Sequence, residues 1–235
     1  MIIEHSIKIY KCICWLVLIL YISINGCYRH NSDQYELIAQ KQFQTKYVLR
    51  DTIPSEIFFA VDVSASMKGF VGTESFRRLI GSSVAALGPE AKLNYWKFDT
   101  VCYPVGNYIE FYRNDIYSGF AANFQRAFNL IKNKPNAMLI ILSDLQINNY
   151  RYYSEIVTSF QSEIIHGGYV KIFSAKPEFD GTIFRQFVGR RDIFNFHGNR
   201  PLYAIAVGGY RFANFIESVL SGSLSWENAI TLRNN

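Results

Sequence analysis

The stretch Ile57-Phe-Phe-Ala-Val-Asp-Val-Ser-Ala-Ser-Met67 decides the fold of this chain. It begins as an apolar strand and ends in one carboxylate and two hydroxyls at alternate positions, Asp62, Ser64 and Ser66. Alternate residues of an extended segment point to the same side, and magnesium prefers oxygen ligands. The stretch therefore predicts a metal-binding loop at a strand end. The alternative is a polar strand-to-helix turn in which Ser66 caps a helix.

Apolar strands and amphipathic helices alternate after this stretch. The predicted strands are Ile57–Val63, Leu93–Phe98, Ala137–Leu142, Tyr169–Phe173 and Leu202–Val207, with an edge hairpin within Val101–Tyr112. Apolar residues at helical spacing predict helices over Phe76–Leu87, Phe120–Ile131, Tyr153–Ile164 and Phe212–Val219. This alternation favours an α/β fold, a doubly wound, mostly parallel sheet with helices on both faces.

Three aspartates lie where predicted strands end, namely Asp62, Asp99 and Asp144. Doubly wound sheets bind ligands at the carboxyl ends of their strands. The placement of three carboxylates at one rim is therefore a second argument for a metal site.

The Asp-x-Ser-x-Ser loop resembles the first loop of the metal-ion-dependent adhesion site of von Willebrand factor type A domains. The resemblance covers residues 57–220 and implies that Ser64 and Ser66 bind Mg²⁺, Mn²⁺ or Ca²⁺ directly. It implies that Asp62 and Asp144 act mostly through water, since Leu142-Ser143-Asp144 is similar to the family's later strand end. The next residue, Leu145, stands where the family often has glycine.

The middle loop departs from the family pattern, which usually has a threonine followed by asparagine before the second large helix. The corresponding stretch is Ser118-Gly-Phe-Ala-Ala-Asn-Phe-Gln125, in which Asn123 aligns and Ala122 replaces the threonine. Alanine has no ligand atom, so Ser118, the Asn123 side chain or a water substitutes, or the metal binds weakly. Asp99 is a further weak candidate ligand, and a turn residue is the preferred interpretation.

The N-terminus is predicted to be a secretory signal, because Lys8 and Lys11 precede the short apolar run Cys12–Ile24. The following Asn-Gly-Cys27 resembles the bacterial lipobox, which implies cleavage before Cys27 and lipid attachment to its sulfur. The alternative is a signal that is uncleaved, or cleaved elsewhere, with an ordinary Cys27. The predicted organisation is signal peptide 1–26, polar tether 27–54, globular domain 55–220 and tail 221–235.

Composition excludes some functions. The formal net charge of +5 is spread along the chain without a basic stripe or motif, so no nucleic-acid partner is predicted. Cys102 would be the one cysteine left after lipidation of Cys27, so no internal disulfide is expected and a packed thiol is predicted.

The connection Ser174–Arg200 is long and interleaves arginines with phenylalanines. Long connections are often functional, so one interpretation is a partner-binding loop. The other is structural, an extra helix and hairpin that cover the sheet edge.

The resemblance implies an adhesion function rather than catalysis. Few negative groups touch the ion, so an acidic side chain of a protein partner can complete its coordination. No catalytic constellation is visible, since His166 and His197 lack metal-ligand spacing. Two alternatives remain: a metal-dependent hydrolase that uses Asp62, Asp99 and Asp144, and a scaffold with a degenerate metal site. The expected location is the bacterial cell envelope, periplasmic or surface-exposed, on a lipid-anchored chain.

Overall fold

A computed structural model of the chain describes residues 53–146, 150–165, 168–187, 190–223 and 228–232. The predicted signal peptide, Cys27, nearly all of the predicted tether and His166 lie outside the described residues.

The described strands are β1 (Glu56–Asp62), β2 (Lys92–Phe98), β3 (Cys102–Pro104), β4 (Ala137–Ser143), β5 (Gly168–Ala175), β6 (Glu178–Phe187), β7 (Arg190–Asn199), β8 (Leu202–Gly209) and β9 (Asn228–Leu232). The α-helices are α1 (Lys68–Val71), α2 (Glu74–Leu87), α3 (Phe124–Phe128), α4 (Tyr150–Ile165) and α5 (Ala213–Ser223). Short 3₁₀ helices cover Ala65–Met67, Tyr108–Tyr112, Asn114–Ile116 and Tyr210–Phe212. None of the helices within these ranges is both long and apolar enough to cross a bilayer.

The central sheet is mixed, with seven strands in the order β3-β2-β1-β4-β8-β5-β9. β1 pairs in parallel with β2 and β4, whereas β8 runs antiparallel between β4 and β5. The strands β1, β2, β4 and β5 thus share one direction, and β3, β8 and β9 oppose it. The predicted α/β class is confirmed. β8 is reversed because the chain returns from β5 through a hairpin, without the crossover that a parallel neighbour requires.

Helices cover both faces of this sheet. Ile57, Phe59 and Val61 of β1 pack into one buried cluster, together with apolar residues of α2 and α5. Phe58 and Ala60 point the other way, into a second cluster with residues of α3 and α4. This alternation follows from the period-2 direction of side chains on a strand. The apolar runs noted in the sequence are therefore strands buried on both sides.

The second predicted helix, Phe120–Ile131, is shorter than its apolar spacing indicated. It begins only at Phe124, because the Asn123 side chain accepts a hydrogen bond from Arg126 N over 3.3 Å and caps it. Phe120, the first apolar residue of the predicted helix, lies in the preceding loop with 75% of its surface exposed. The predicted start at Phe120 is therefore wrong, because the Asn123 cap starts the helix four residues later.

Ordered structure extends past the predicted domain boundary at residue 220. Helix α5 ends at Ser223, and β9 pairs antiparallel with β5 at the sheet edge. The edge hairpin predicted within the described residues Val101–Tyr112 does not form. β3 pairs antiparallel with β2 instead, and the chain then enters the 3₁₀ helix Tyr108–Tyr112.

The long connection forms the hairpin β6–β7, a separate two-stranded sheet. It does not cover the sheet edge beside β5, because β9 occupies that position. Its base instead packs on α1, where the buried Phe179 ring lies 4.8 Å from the Phe70 ring. The hairpin of the structural interpretation is present, but the described residues of the connection form no extra helix. The hairpin packs on α1, the short helix that follows the Asp62–Ser66 loop.

Candidate metal centre

The carboxyl ends of the parallel neighbours β1 and β4 bring the predicted site together. The Ser64 and Ser66 Oγ atoms lie 3.1 Å apart, and Ser66 Oγ donates to Asp144 Oδ1 over 3.2 Å. Two hydroxyls and a carboxylate that are far apart in sequence are thus within hydrogen-bonding distance. Parallel strands place their ends at one rim, which is why the sequence pattern could find this cluster.

Asp62 holds the first loop through buried hydrogen bonds. The residue is completely buried, and its Oδ1 accepts a hydrogen bond from Ser64 N over 2.8 Å. Its Oδ2 accepts from Ser143 Oγ over 2.7 Å. Both carboxylate oxygens therefore already have partners inside the protein, so Asp62 holds the loop in shape.

Ser66 does not cap a helix. It lies within the 3₁₀ helix Ala65–Met67, and the next long helix, α2, is capped by Thr73, whose hydroxyl accepts from Phe76 N. The hydroxyl of Ser66 is instead directed to Ser64 and Asp144. The helix-cap interpretation of this loop is therefore wrong, since the capping position falls seven residues later.

Asp144 has one oxygen that is satisfied and one that is not. Its Oδ1 accepts hydrogen bonds from Ser66 Oγ and from Gln146 N, the latter over 3.0 Å. Its buried Oδ2 accepts no hydrogen bond from the described part of the chain. Arg200 Nη2 lies 3.1 Å from Oδ2, but it donates to Gln146 Oε1 over 2.7 Å. The contact of Arg200 with Oδ2 is therefore an ion pair without an aligned hydrogen bond.

Sequence reasoning missed Arg200 as a site residue and noted it only among the arginines of the long connection. The side chain is 14% exposed and lies over the Phe179 ring, with Cζ 4.9 Å from the ring centre. Its backbone N–H donates to Pro177 O and closes the base of the β6–β7 hairpin. No local pattern marks such a residue, because its partners are distant in sequence and meet only in the folded chain.

The folded chain favours the protonated forms of both carboxyl groups. Burial and the nearby charge of Asp144 raise the pKa of Asp62 to about 7. Burial also raises the pKa of Asp144, while Arg200 opposes that rise. Within the described ranges, Arg200 is the only cation that forms an ion pair with either carboxylate. A further positive charge at this rim would favour the ionised form of both groups.

The donor set fits a hard cation. Hydroxyl and carboxylate oxygens are the ligands that Mg²⁺ and Ca²⁺ take, and Asp144 Oδ2 is a buried oxygen whose hydrogen-bonding capacity is unused. In the part of the chain that the structure describes, no three His, Cys, Asp or Glu residues gather in a metal-holding group. A cation at this rim would therefore depend on the hydroxyls of Ser64 and Ser66, which are only 1% and 2% exposed.

The weaker candidates have other roles. Asp99 Oδ1 accepts from Val101 N over 2.9 Å in the turn between β2 and β3, and Asn123 caps α3. Ser118 is exposed, although its neighbour Gly119 pairs with the first loop through Ala65 N. Among the described residues, no hydrogen bond joins Asp99, Ser118 or Asn123 to the cluster of the four main candidates. These four are Asp62, Ser64, Ser66 and Asp144. Ala122 packs in the second core cluster.

Leu145, which follows Asp144, has φ of 52° and lies in the left-handed region that favours glycine.

No protein-family model, curated protein or solved structure matches the chain.

Proposed function

We propose that the described domain is a von Willebrand factor type A-like domain that binds a protein partner with the help of a divalent cation, in the first place Mg²⁺. The convergence of the Ser64, Ser66 and Asp144 oxygens at one rim carries this proposal. A doubly wound arrangement belongs to the same proposal, and the two buried clusters on opposite faces of the sheet support it. The glycine-like φ of Leu145, at a position where that family often has glycine, agrees with it.

The chemistry of the cluster suits adhesion. Ser64 and Ser66 are neutral donors, so an ion that they bind keeps most of its positive charge. An acidic side chain of a partner can then cap the ion, in a charge-assisted contact that strengthens where water is excluded. Since both hydroxyls are nearly inaccessible in the described conformation, the partner's acid reaches the ion only after neighbouring side chains move.

The proposed location is the bacterial cell envelope. The lipobox-like sequence before Cys27 supports a lipid-anchored chain, and two or three acyl chains hold a protein stably on a membrane. Radiolabelled palmitate fed to producing cells should label the wild-type chain and leave a Cys27→Ala variant unlabelled. Equal labelling of the two chains would remove the anchor from the proposal.

Ion binding is tested with the full chain, by titration with Mn²⁺ followed through the electron paramagnetic resonance signal of the free ion, and with Mg²⁺ as competitor. Asp144→Asn and Ser66→Ala are expected to weaken binding about tenfold or more, because each removes a proposed oxygen ligand. Asp115→Asn is the matched control, since Asp115 forms an exposed ion pair with Arg113. Equal affinity of all four proteins, or no binding by any, would contradict the proposed site.

A second candidate function is a binding scaffold whose metal site is degenerate. Ala122 offers no ligand atom where the resembled family has threonine, and Arg200 already supplies a positive charge at Asp144. If the wild-type chain bound no divalent ion and Ala122→Thr bound Mg²⁺ measurably, this function would replace the first. The metal-dependent hydrolase has no such support, since Asp99 is engaged in the turn after β2.

A further inference from the structure

We propose that Arg200 is a built-in counter-cation of the candidate metal centre. It neutralises Asp144 in the metal-free protein and opposes entry of the divalent ion, so that loss of its charge tightens ion binding. This inference rests on the proposed function, because it takes Ser64, Ser66 and Asp144 as the ion's site.

The position of the guanidinium is the first argument. Arg200 Nη2 lies 3.1 Å from Asp144 Oδ2, and the two side chains are 14% and 0% exposed. Arg200 Nη1 also lies 3.5 Å from Ser66 O, the carbonyl of a residue whose hydroxyl is a proposed ligand. A divalent ion at the hydroxyls would therefore bind close to a fixed positive charge. Because the pair is shielded from solvent, salt screens this repulsion weakly.

The second argument is that Arg200 is held in place rather than free to turn toward solvent. Gln146 Oε1 accepts a hydrogen bond from Nη2 over 2.7 Å, and the ring of Phe179 lies beneath the guanidinium, 4.9 Å from Cζ. Phe179 in turn packs on Phe70. The ion must accept the repulsion or displace a packed side chain, and either raises its dissociation constant.

The charge also links the site to the hairpin. Arg200 N donates to Pro177 O at the base of β6–β7, while the guanidinium of the same residue faces Asp144. One residue thus belongs to both the hairpin base and the rim of the site. A partner that pulled Arg200 away from Asp144 would raise the affinity for the ion, and ion binding would favour release of Arg200, since such coupling is reciprocal.

A structural role for Arg200 predicts the opposite result. If the ion pair only held the rim together, its loss would loosen the arrangement of Ser66 and Asp144 and weaken ion binding. Removal of one partner from a buried ion pair also destabilises the metal-free fold, because Asp144 would be left without a counter-charge. Affinity and stability must therefore be measured separately.

The experiment compares Mn²⁺ affinity and thermal unfolding of the full chain in the wild type, Arg200→Gln, Arg200→Lys and Arg78→Gln. Arg78→Gln is the control for net charge, since Arg78 pairs with Glu74 on the exposed side of α2. We expect Arg200→Gln to bind Mn²⁺ at least about tenfold more tightly than the wild type. The repulsion between the ion and a unit positive charge about 4 Å away is large enough for such a change. Arg200→Lys keeps the charge and should stay near the wild-type affinity, as should Arg78→Gln.

Stability gives the second readout. Without metal, Arg200→Gln should unfold at a lower temperature than the wild type, and Mn²⁺ should raise its unfolding temperature by more than that of the wild type. If this variant does not fold, Arg200→Met serves instead, because its apolar stem can still pack on Phe179.

The outcomes separate the two proposals. If the wild type binds Mn²⁺ and Arg200→Gln binds no more tightly, the counter-cation is refuted while the metal site stands. If neither binds the ion, the proposed function fails and the inference with it. Binding by Arg200→Gln alone would support the counter-cation, since it would reveal a site that the arginine blocks, and it would refute metal-assisted binding by the wild-type chain.

Discussion

Ser143 Oγ donates a hydrogen bond to Asp62 Oδ2 over 2.7 Å and so ties together the ends of the parallel neighbours β4 and β1. Both residues are completely buried. The same hydroxyl accepts a hydrogen bond from Leu145 N over 3.0 Å. Ser143 therefore positions both Asp62, which holds the first loop, and the turn that carries Asp144.

Ser143→Ala should destabilise the fold by about 1–3 kcal/mol, because it leaves buried polar groups without their partner. Urea unfolding measures the change. Ser83→Ala is the matched control, since Ser83 is also buried but donates to Leu79 O within its own helix. We expect a change of about 0.5 kcal/mol or less for the control, because alanine favours a helix. If both variants lost the same free energy of unfolding, the hydrogen bond to Asp62 would contribute no more to stability than the one within the helix.

Stability of the metal-free protein should fall as pH rises between about 4 and 7. The pKa of Asp62 rises from 3.8 to about 7 on folding, so in this window the folded state holds a proton that the unfolded chain has released. Folding is then favoured at the acidic end and loses this contribution as pH approaches the folded pKa.

Urea unfolding in the presence of EDTA at several pH values tests this dependence. Asp62→Asn should show a weaker decline over the same range, because its side chain does not titrate. A wild-type stability that rose through this window, with no difference from the variant, would contradict the proposed proton on Asp62.

Divalent ions should stabilise the fold if the proposed site binds them. At an Mg²⁺ concentration about a hundredfold above the dissociation constant, the free energy of unfolding should rise by about 2.7 kcal/mol. EDTA should reverse the effect, and the binding expected of Asp144→Asn, about tenfold weaker or more, should lower the gain to about 1.4 kcal/mol or less. An equal gain in Asp144→Asn would place the ion elsewhere.

Gly69→Ala should disturb the contact between α1 and the hairpin. A Cβ at this position would lie 2.4 Å from the Phe179 ring, which is fully buried. Overpacking of this kind costs about 1–3 kcal/mol, and it should lower the unfolding temperature. The control is Gly72→Ala at the end of the same helix, where a Cβ meets nothing within 4 Å. If Gly69→Ala left the unfolding temperature unchanged, the hairpin base would be able to shift and make room for the added methyl group.

Those features of the fold and of the candidate site that depend on local patterns could be predicted from the sequence. Continuous apolar runs marked the central strands, and the alternate polar residues after β1 marked Asp62, Ser64 and Ser66. Their meeting with Asp144 follows from parallel pairing, which places the ends of β1 and β4 at the same rim. These features need only side-chain period and strand direction, both of which are visible in a linear sequence.

The features that could not be predicted depend on contacts between segments that are distant in sequence. The ion pair of Arg200 with Asp144 and the burial of Phe179 against α1 arise only when the hairpin packs on the domain. The reversal of β8 depends on whether a connection forms a hairpin or a crossover, and the composition of residues 174–200 fits either. The left-handed φ of Leu145 is disfavoured for leucine, so propensity alone argues against it.

The enclosure of Ser64 and Ser66, at 1% and 2% exposure, has a kinetic consequence. On the proposed function, a partner's acid cannot meet the ion by collision alone, since the rim must first open around it. Association would then be slower than diffusion permits, as is usual where a conformational change precedes docking. The rate of complex formation would level off as partner concentration rises, at the frequency with which this rim opens.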